Sequence, residues 1–288
     1  MSGPRRVLWW VVGVTAVVMA IGGWYGLATL SRERLGALAG LQVVLAAGAV
    51  LPWFTVNAYR AAVRFSSEQA LASAWGALAA SSVLLLFGQF AAFAPSALDL
   101  RGFETALILC GQLLPAIFRI VLCWALWRVR RAYLGTGLDF HLTRLDYIVS
   151  IPVAIMVGAL VWNGGALFDY WTANADFNPA ARSLGIAIQV VNYLLYGAVF
   201  FVSLSITRFA MQMGGGLVAR AWGGVALYGL LQSFHVFVIA VFWPTLGPAI
   251  AVTFDNFVVL AAFAALAFGP IYQLEAADVS RPPDRSRD

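Results

Sequence analysis

The sequence predicts an all-α polytopic membrane bundle of about eight transmembrane helices, and three observations support this fold class. Hydrophobic residues make up 62% of the 288 residues and charged residues only 11%, whereas soluble domains contain roughly 45–50% and about 25%. The apolar residues fall into eight runs, each long enough to cross roughly 30 Å of hydrocarbon as a helix. The runs lack the alternation typical of membrane β-strands, which favours helices over a barrel.

The eight runs follow one another along the chain with short polar turns between them. The first begins after Arg5 and Arg6 and resembles a signal peptide, but its length and the absence of a cleavage site favour a first span. The last two runs form a hairpin, Leu217–Tyr272, around the turn Phe242–Pro248. The other spans are predicted at Val7–Leu30, Leu35–Asn57, Gln69–Ala94, Phe103–Trp127, Leu145–Phe168 and Arg182–Thr207.

These spans form one transmembrane domain, residues 1–274. The remaining segment, 275–288, is polar and contains two prolines, so we expect a disordered cytoplasmic tail. Small residues four apart, Gly22 with Gly26 and Gly36 with Gly40, are interpreted as close helix–helix packing positions.

Arginine placement predicts the orientation. All 18 basic residues are Arg; with the N-terminus in the cytoplasm, thirteen of them are inside, four are outside and Arg119 lies within the fourth span. This bias predicts cytoplasmic termini and an inner (plasma) membrane location. Tryptophans are expected to form interfacial belts near the two boundaries, with Trp24, Trp162, Trp171 and Trp243 outside and Trp127 and Trp222 inside.

One acid and one imidazole lie deep in the terminal hairpin. His235 precedes Thr245 by ten residues and Asp255 follows it by ten. Antiparallel helices rise equally per residue, so the two side chains are predicted at one depth, roughly 15 Å from the turn. Ionisable groups in hydrocarbon need a partner or water, and we therefore interpret the pair as a candidate functional site.

Most other buried polar residues are predicted in the same outer layer. Gln42, Gln89 and Asn163 join it, whereas the inner half holds mainly Asn57 and Arg119. The layer predicts a hydrated or ligand-filled cavity, since polar groups in hydrocarbon must meet one another or water. The candidate ligand-binding or proton-linked residues are Asp255, His235, Asn256, Gln232, Asn192, Gln189, Gln112 and Arg119.

Packing explanations compete with this interpretation. Asn and Gln in membrane helices often only join neighbouring helices. Arg119 has two alternatives: its side chain extends towards the cytoplasmic side, or it turns inward to offset Asp255. Asp139 and His141, in the basic loop 128–144, are interpreted as solvated side chains.

Two function classes remain open. A histidine beside a carboxyl can exchange a proton near neutral pH, which suits small-solute or proton-linked transport of a polar ligand from the non-cytoplasmic side. A sensor or scaffold subunit, with a partner protein at loop 128–144, is the alternative. An enzyme is less favoured because no hydrolase or metal motif is present. The absence of lysine excludes a retinal Schiff base, no cofactor is identified, and the positive charge does not indicate nucleic-acid binding.

Overall fold

A computed structural model describes residues 3–98, 103–135, 143–172 and 177–279, apart from the side chains of 33, 94–98, 170, 171 and 243–246. Eight helices of the described chain are long and apolar enough to cross a membrane, which confirms the predicted span number and fold class. In chain order the elements are α1 Gly3–Thr29, α2 Arg32–Arg64, α3 Gln69–Leu98, α4 Glu104–Leu134, α5 Arg144–Trp162, α6 Gly164–Trp171, α7 Pro179–Gln212, α8 Gly216–Leu246, α9 Pro248–Ile250, the π-helical segment Ala251–Asp255 and α10 Asn256–Val279.

Local sequence signals mark several helix ends. α5 starts with a capping box, in which the Thr143 hydroxyl accepts from the Asp146 backbone N–H and the Asp146 carboxylate accepts from the Thr143 N–H. α7 starts at the N-cap Asn178, with Pro179 in the first turn, where its missing N–H costs nothing. Gly214 turns the chain between α7 and α8 with φ +71°, a value that favours glycine.

Several helix boundaries differ from the predicted spans. α2 continues to Arg64, α4 continues to Leu134, seven residues into the predicted loop 128–144, and α8 continues to Leu246, through most of the predicted turn Phe242–Pro248. Span five was predicted to reach Phe168, but α5 ends at Trp162 and the short α6 follows after Asn163. At the C-terminus α10 continues to Val279, five residues into the segment predicted as a disordered tail; residues 280–288 lie outside the described chain.

Six helices enclose the interior of the bundle. The most extensive helix–helix contacts join α2 to α3, α3 to α4, α4 to α7, α7 to α8, α8 to α10 and α10 back to α2. α1 packs outside this ring against α2 and α10, and α5 packs outside it against α7 and α8. Every α-helix that carries a predicted site residue therefore belongs to the ring, and Asp255 ends the π-helical segment that leads into α10.

We call the end of the bundle that holds Gly3 and Val279 the terminal end, and the opposite end the far end. Ion pairs join helices at the terminal end: Arg5 Nη1 lies 3.4 Å from Glu275 Oε2. Arg64 Nη2 lies 2.7 Å from Asp278 Oδ1. All these residues belong to α1, α2 and α10, so the pairs hold the described ends of the chain together.

A more buried ion pair joins α5 to α7. Asp146 Oδ1 accepts from Arg208 Nε at 2.7 Å and from Nη2 at 2.5 Å. Its Oδ2 accepts from the backbone N–H and the hydroxyl of Thr143, both at 2.7 Å. Because Asp146 is buried, both carboxylate oxygens need these donors.

An apolar core fills the terminal half of the ring. Trp75 of α3 stacks on Trp222 of α8 with ring centroids 5.1 Å apart, and Phe54 meets Phe118 edge to face. Trp222 is fully buried, so its predicted place in an interfacial belt is wrong. Trp222 packs on Trp75 of another helix, and the residue spacing within α8 does not predict that contact.

The other described belt tryptophans are exposed. Trp24 and Trp162 project at the far end and Trp127 at the terminal end, where amphipathic indole rings suit a membrane interface. The side chains of Trp171 and Trp243 lie outside the described residues.

Only part of the predicted glycine pairs pack closely. A Cβ on Gly26 would lie 2.4 Å from Leu38 Cδ2, and one on Gly40 would lie 2.6 Å from Phe93 Cδ1. Gly36 has looser surroundings, and a Cβ on Gly22 would meet nothing within 4 Å. The packing interpretation of Gly22 is therefore wrong, because that residue faces away from its neighbours.

Candidate functional site

A cavity of about 600 Å³ lies inside the ring in its far half. Its wall is built by α2, α3, α4, α7, α8 and the segment from Ala251 to Phe263. The predicted site residues all line it: Asp255, His235, Asn256, Gln232, Asn192, Gln189, Gln112 and Arg119. Helices distant in sequence thus bring these side chains to one cavity, as the common depth predicted.

The acid and the imidazole of the terminal hairpin are in contact. His235 Nδ1 lies 2.7 Å from Asp255 Oδ2. Asp255 is fully buried, whereas the His235 side chain remains 24% exposed. Asp255 Oδ1 has no hydrogen-bond partner among the described residues. This contact agrees with the common depth predicted for the pair, and both residues line the cavity.

A π-helical segment positions Asp255. The residues Ala251–Asp255 form one wide turn between α9 and α10, preceded by Gly247 with φ +55°. A π turn holds one more residue than an α turn, and so it rotates the side chains that follow; such turns occur frequently at functional sites. The sequence contains no pattern that predicts this segment, and its presence was missed.

Polar side chains donate hydrogen bonds to backbone carbonyls within and beside the π segment. The Thr253 hydroxyl donates to the Ala249 carbonyl at 2.7 Å. Gln42 Nε2, from α2, donates to the Val252 carbonyl at 3.4 Å and to the Met19 carbonyl of α1 at 2.8 Å. Gln42 thereby joins three separate helical elements at the depth of the cavity.

Asn256 also acts as a link between helices. Its Nδ2 donates to Gln42 Oε1 and to the Ala39 carbonyl, both at 2.9 Å. Both of these bonds cross from α10 to α2 and supply the packing contact that the competing interpretation proposed. Asn256 lines the cavity, but its amide donors are already engaged.

A chain of amides joins α4 to α7 along another wall. Gln112 Nε2 donates to Gln189 Oε1 at 3.3 Å, and Gln189 in turn donates to the Tyr193 hydroxyl. Asn192 Nδ2 donates to the backbone carbonyl of Gln112 at 3.1 Å. These residues and Tyr196 line the cavity. Gln189, Asn192, Tyr193 and Tyr196 lie at i, i+3, i+4 and i+7, so they form one polar-aromatic face of α7 towards the cavity.

Arg119 turns inward and does not extend towards the terminal end. The side chain is only 4% exposed, Nη1 donates to Asn192 Oδ1, and Nη2 donates to the Tyr196 hydroxyl at 2.6 Å. The guanidinium carbon also lies 4.2 Å from the centre of the Tyr196 ring. Its described partners are all uncharged, so of the two alternatives the inward orientation is correct but direct pairing with Asp255 is not.

The other polar residues discussed in the sequence analysis lie in different surroundings. Gln89 lines the cavity. Asn163 is exposed and donates to the Ala159 carbonyl at 2.8 Å, so it does not belong to the cavity wall. Asn57 is buried and donates to the Trp53 carbonyl at 2.8 Å. Asp139 and His141 lie outside the described residues.

A second cavity, of about 610 Å³, lies at the terminal end. It is bordered by Phe65, Glu68, Tyr133, the glycine turn 214–216 and Gln273. Gln273 is buried, and its Oε1 has no hydrogen-bond partner in the described chain. Gln273 lies eighteen residues after Asp255, a rise of roughly 27 Å along the helix, so the two cavities are separate. The stack of Trp75 on Trp222 belongs to the apolar core of the bundle.

The chain matches no protein-family model, no curated protein and no solved structure. The described residues contain no group of three or more His, Cys, Asp or Glu side chains that could hold a metal ion. The chemistry of the far-half cavity is therefore inferred from the side chains that line it. They offer an acid–imidazole pair, a buried guanidinium and several amides within a mostly apolar wall.

Proposed function

We propose that this integral membrane protein carries a small polar solute across the membrane, coupled to a proton at the His235–Asp255 pair. The single observation that carries the proposal is the convergence of this pair and the other predicted residues on one internal cavity. Ionisable side chains within membrane spans mark substrate and proton pathways. The solute enters from the far end, which arginine placement assigns to the non-cytoplasmic side.

The contact geometry supports the proton step. A carboxylate can only accept, so in the neutral imidazole Nδ1 donates to Asp255 and Nε2 is the site that gains a proton. Nε2 has no hydrogen-bond partner among the described residues. Protonation adds one positive charge to the cavity wall, which alters its affinity for a charged solute. The other charged or titratable groups that line the cavity are Arg119 from α4 and Tyr193 and Tyr196 from α7. Helices α2 and α3 contribute one amide, Gln89, together with glycines and apolar residues.

The two cavities favour alternating access. A carrier must open to each side in turn around a central site, and the terminal-end cavity supplies the beginning of a second route. Apolar packing around Trp75 and Trp222 closes the space between the cavities in this conformation. Transport requires that these helices separate at the terminal end while the far end closes.

The experiment measures proton movement in proteoliposomes that contain a trapped pH-sensitive dye. A set of small carboxylates, amides and amines is added outside at a fixed membrane potential. The wild type is expected to change the internal pH with at least one solute class, and Asp255→Asn is expected to abolish that signal. Asp278→Asn is the matched control, because it removes an exposed acid at the terminal end of α10, the helix that directly follows Asp255.

A non-transporting sensor or scaffold subunit is the second candidate. The apolar packing between the cavities favours it, since a receptor needs a ligand cavity on one side only. The basic segment predicted as loop 128–144 would bind a partner protein. Its residues 128–134 belong to α4, and residues 136–142 lie outside the described chain. Ligand binding without any proton or solute movement, together with a protein that co-purifies, would replace the transport proposal with this one.

A further inference from the structure

The charge balance inside the far-half cavity defines a ligand class. Arg119, His235 and Asp255 are the residues with ionisable acid or basic groups on its wall, apart from tyrosines. Asp255 is engaged by His235, and no carboxylate of the described residues pairs with Arg119. A buried guanidinium that meets only neutral groups retains most of its desolvation cost.

Arg119 also keeps unused donor capacity. A guanidinium has five N–H donors in a planar fork that matches the oxygens of a carboxylate or a phosphate. Asn192 and Tyr196 take two of these donors, and Nε is buried without a partner. Asn192 is fixed in turn by the Gln112 carbonyl. These contacts hold the guanidinium in place beside the cavity.

The position of Arg119 places it in the deepest part of the cavity. α4 runs inward from the far end, so Arg119 lies seven residues, or about 10 Å, below Gln112. Tyr196, its partner on α7, likewise lies seven residues beyond Gln189. A ligand that enters from the far end therefore meets the amides first and the guanidinium last.

The size and composition of the wall favour an organic ligand over a bare ion. About 600 Å³ corresponds to roughly twenty water molecules at 30 Å³ each. Apolar side chains from α2, α3, α4, α8 and α10 face this space, among them Val43, Phe93, Ile108, Ile239 and Phe263. An apolar body of several carbon atoms would fill that volume and cover those groups.

We infer that the far-half cavity binds a water-soluble organic oxyanion, a carboxylate or a phosphate ester with an apolar body, whose charged end pairs with Arg119. This inference rests on the proposed function for the route of entry and names its substrate class. The bound anion neutralises the guanidinium. The amides of Gln112 and Gln189 lie along the path that the polar end takes.

Equilibrium binding to the purified full chain in phosphate-free detergent solution tests the inference. The probes are ring compounds and six-carbon compounds of matched size: benzoate, phenyl phosphate, benzamide and benzylamine, with hexanoate, hexanamide and hexylamine. Thermal unfolding reports binding as a rise in Tm. At least one anion is expected to raise the Tm where the matched amide and amine do not, and the comparison of benzoate with phenyl phosphate identifies the preferred charged group.

Two variants of Arg119 and one control complete the test. Arg119→Gln is expected to weaken anion binding at least about tenfold, as loss of a charged hydrogen bond does, and Arg119→Lys is expected to retain part of it. Arg128→Gln, at the terminal end of α4 beside Trp124, is expected to bind as the wild type. If Arg119→Gln does not fold, the comparison of anions with matched amides and amines on the wild-type protein still tests the inference.

The inference is overturned if no anion is favoured over its neutral match, or if Arg119→Gln binds the anion as the wild type does. A parallel arm adds phosphatidylglycerol instead of a soluble probe; stabilisation by that lipid alone would assign Arg119 to a lipid head group and overturn the soluble ligand. Anion binding without proton-coupled uptake would overturn transport but preserve the inference. Proton-coupled uptake of an amine or an amide, without anion binding, would support transport but overturn the inference of an anionic ligand.

Discussion

Gly229 tests whether close backbone contact between α7 and α8 supports the cavity. A Cβ at this position would lie 2.8 Å from the Phe200 backbone nitrogen and 3.0 Å from the Tyr196 carbonyl oxygen. Ordinary contact begins at about 3.4 Å, so the two helices must separate by roughly 0.6 Å to accept one methyl group. Backbone atoms cannot move aside as a flexible side chain can.

We therefore expect Gly229→Ala to lower the free energy of unfolding by about 1–3 kcal/mol, the usual cost of overpacking. Alanine favours a helix over glycine by about 0.5–1 kcal/mol in water, and this gain must be separated from the clash. Gly158→Ala on α5 measures the gain alone, because its Cβ would meet nothing within 4 Å. The difference between the two variants gives the cost of forcing the helices apart.

The assay is unfolding of the purified protein in mixed micelles, followed by circular dichroism and tryptophan fluorescence. A shift of α7 also moves Tyr196, which holds Arg119, so any ligand of the cavity should bind Gly229→Ala more weakly than Gly158→Ala. Equal stability of the two variants would refute the reasoning, because it would mean that α7 and α8 are not in backbone contact at this point.

Two further predictions concern buried polar links. Asp146→Ala removes the acceptor of four hydrogen bonds and leaves Arg208 without its carboxylate partner. We expect the free energy of unfolding to fall by about 3 kcal/mol, near the low end for a buried pair because the guanidinium is partly exposed. Asp169→Ala, in an exposed pair where Arg182 lowers the pKa of the carboxyl, should leave the unfolding midpoint unchanged, and an equal loss would contradict the prediction. Gln42→Leu breaks the links to α1 and α10 and should cost about 0.6–1.7 kcal/mol in the same unfolding assay. The exposed Gln69→Leu serves as its control, and indistinguishable midpoints would refute the role of Gln42.

Several features of the site follow from the sequence because helix geometry is regular. Equal rise per residue on the two arms of a hairpin placed His235 and Asp255 at one depth, and the 2.7 Å contact agrees with that placement. The 3.6-residue period placed Gln189, Asn192 and Tyr196 on one face of α7, and all three line the cavity. The common depth and the shared helix face both follow from the geometry of single helices, without information on how the helices are arranged.

The sequence does not show whether a buried amide side chain lines the cavity or joins two helices. Gln42 and Asn256 lie at the same depth as Gln189, but their amides join α2 to α10. Trp222 was expected at the membrane interface, and the nearby Trp75 made it a core residue instead. In each case the deciding partner belongs to a helix that the periodicity of one segment cannot identify.

The sequence by itself determined that this is a membrane protein of eight spans, because the length and hydropathy of a segment decide whether it can cross a bilayer. It also determined the depth of each polar group along its own helix. The order of helices around the ring, the π-helical turn at Asp255 and the neutral partners of Arg119 were decided only by the tertiary structure. These features depend on side-chain packing between helices distant in sequence, and a helical period fixes only the direction in which a side chain points along its own axis.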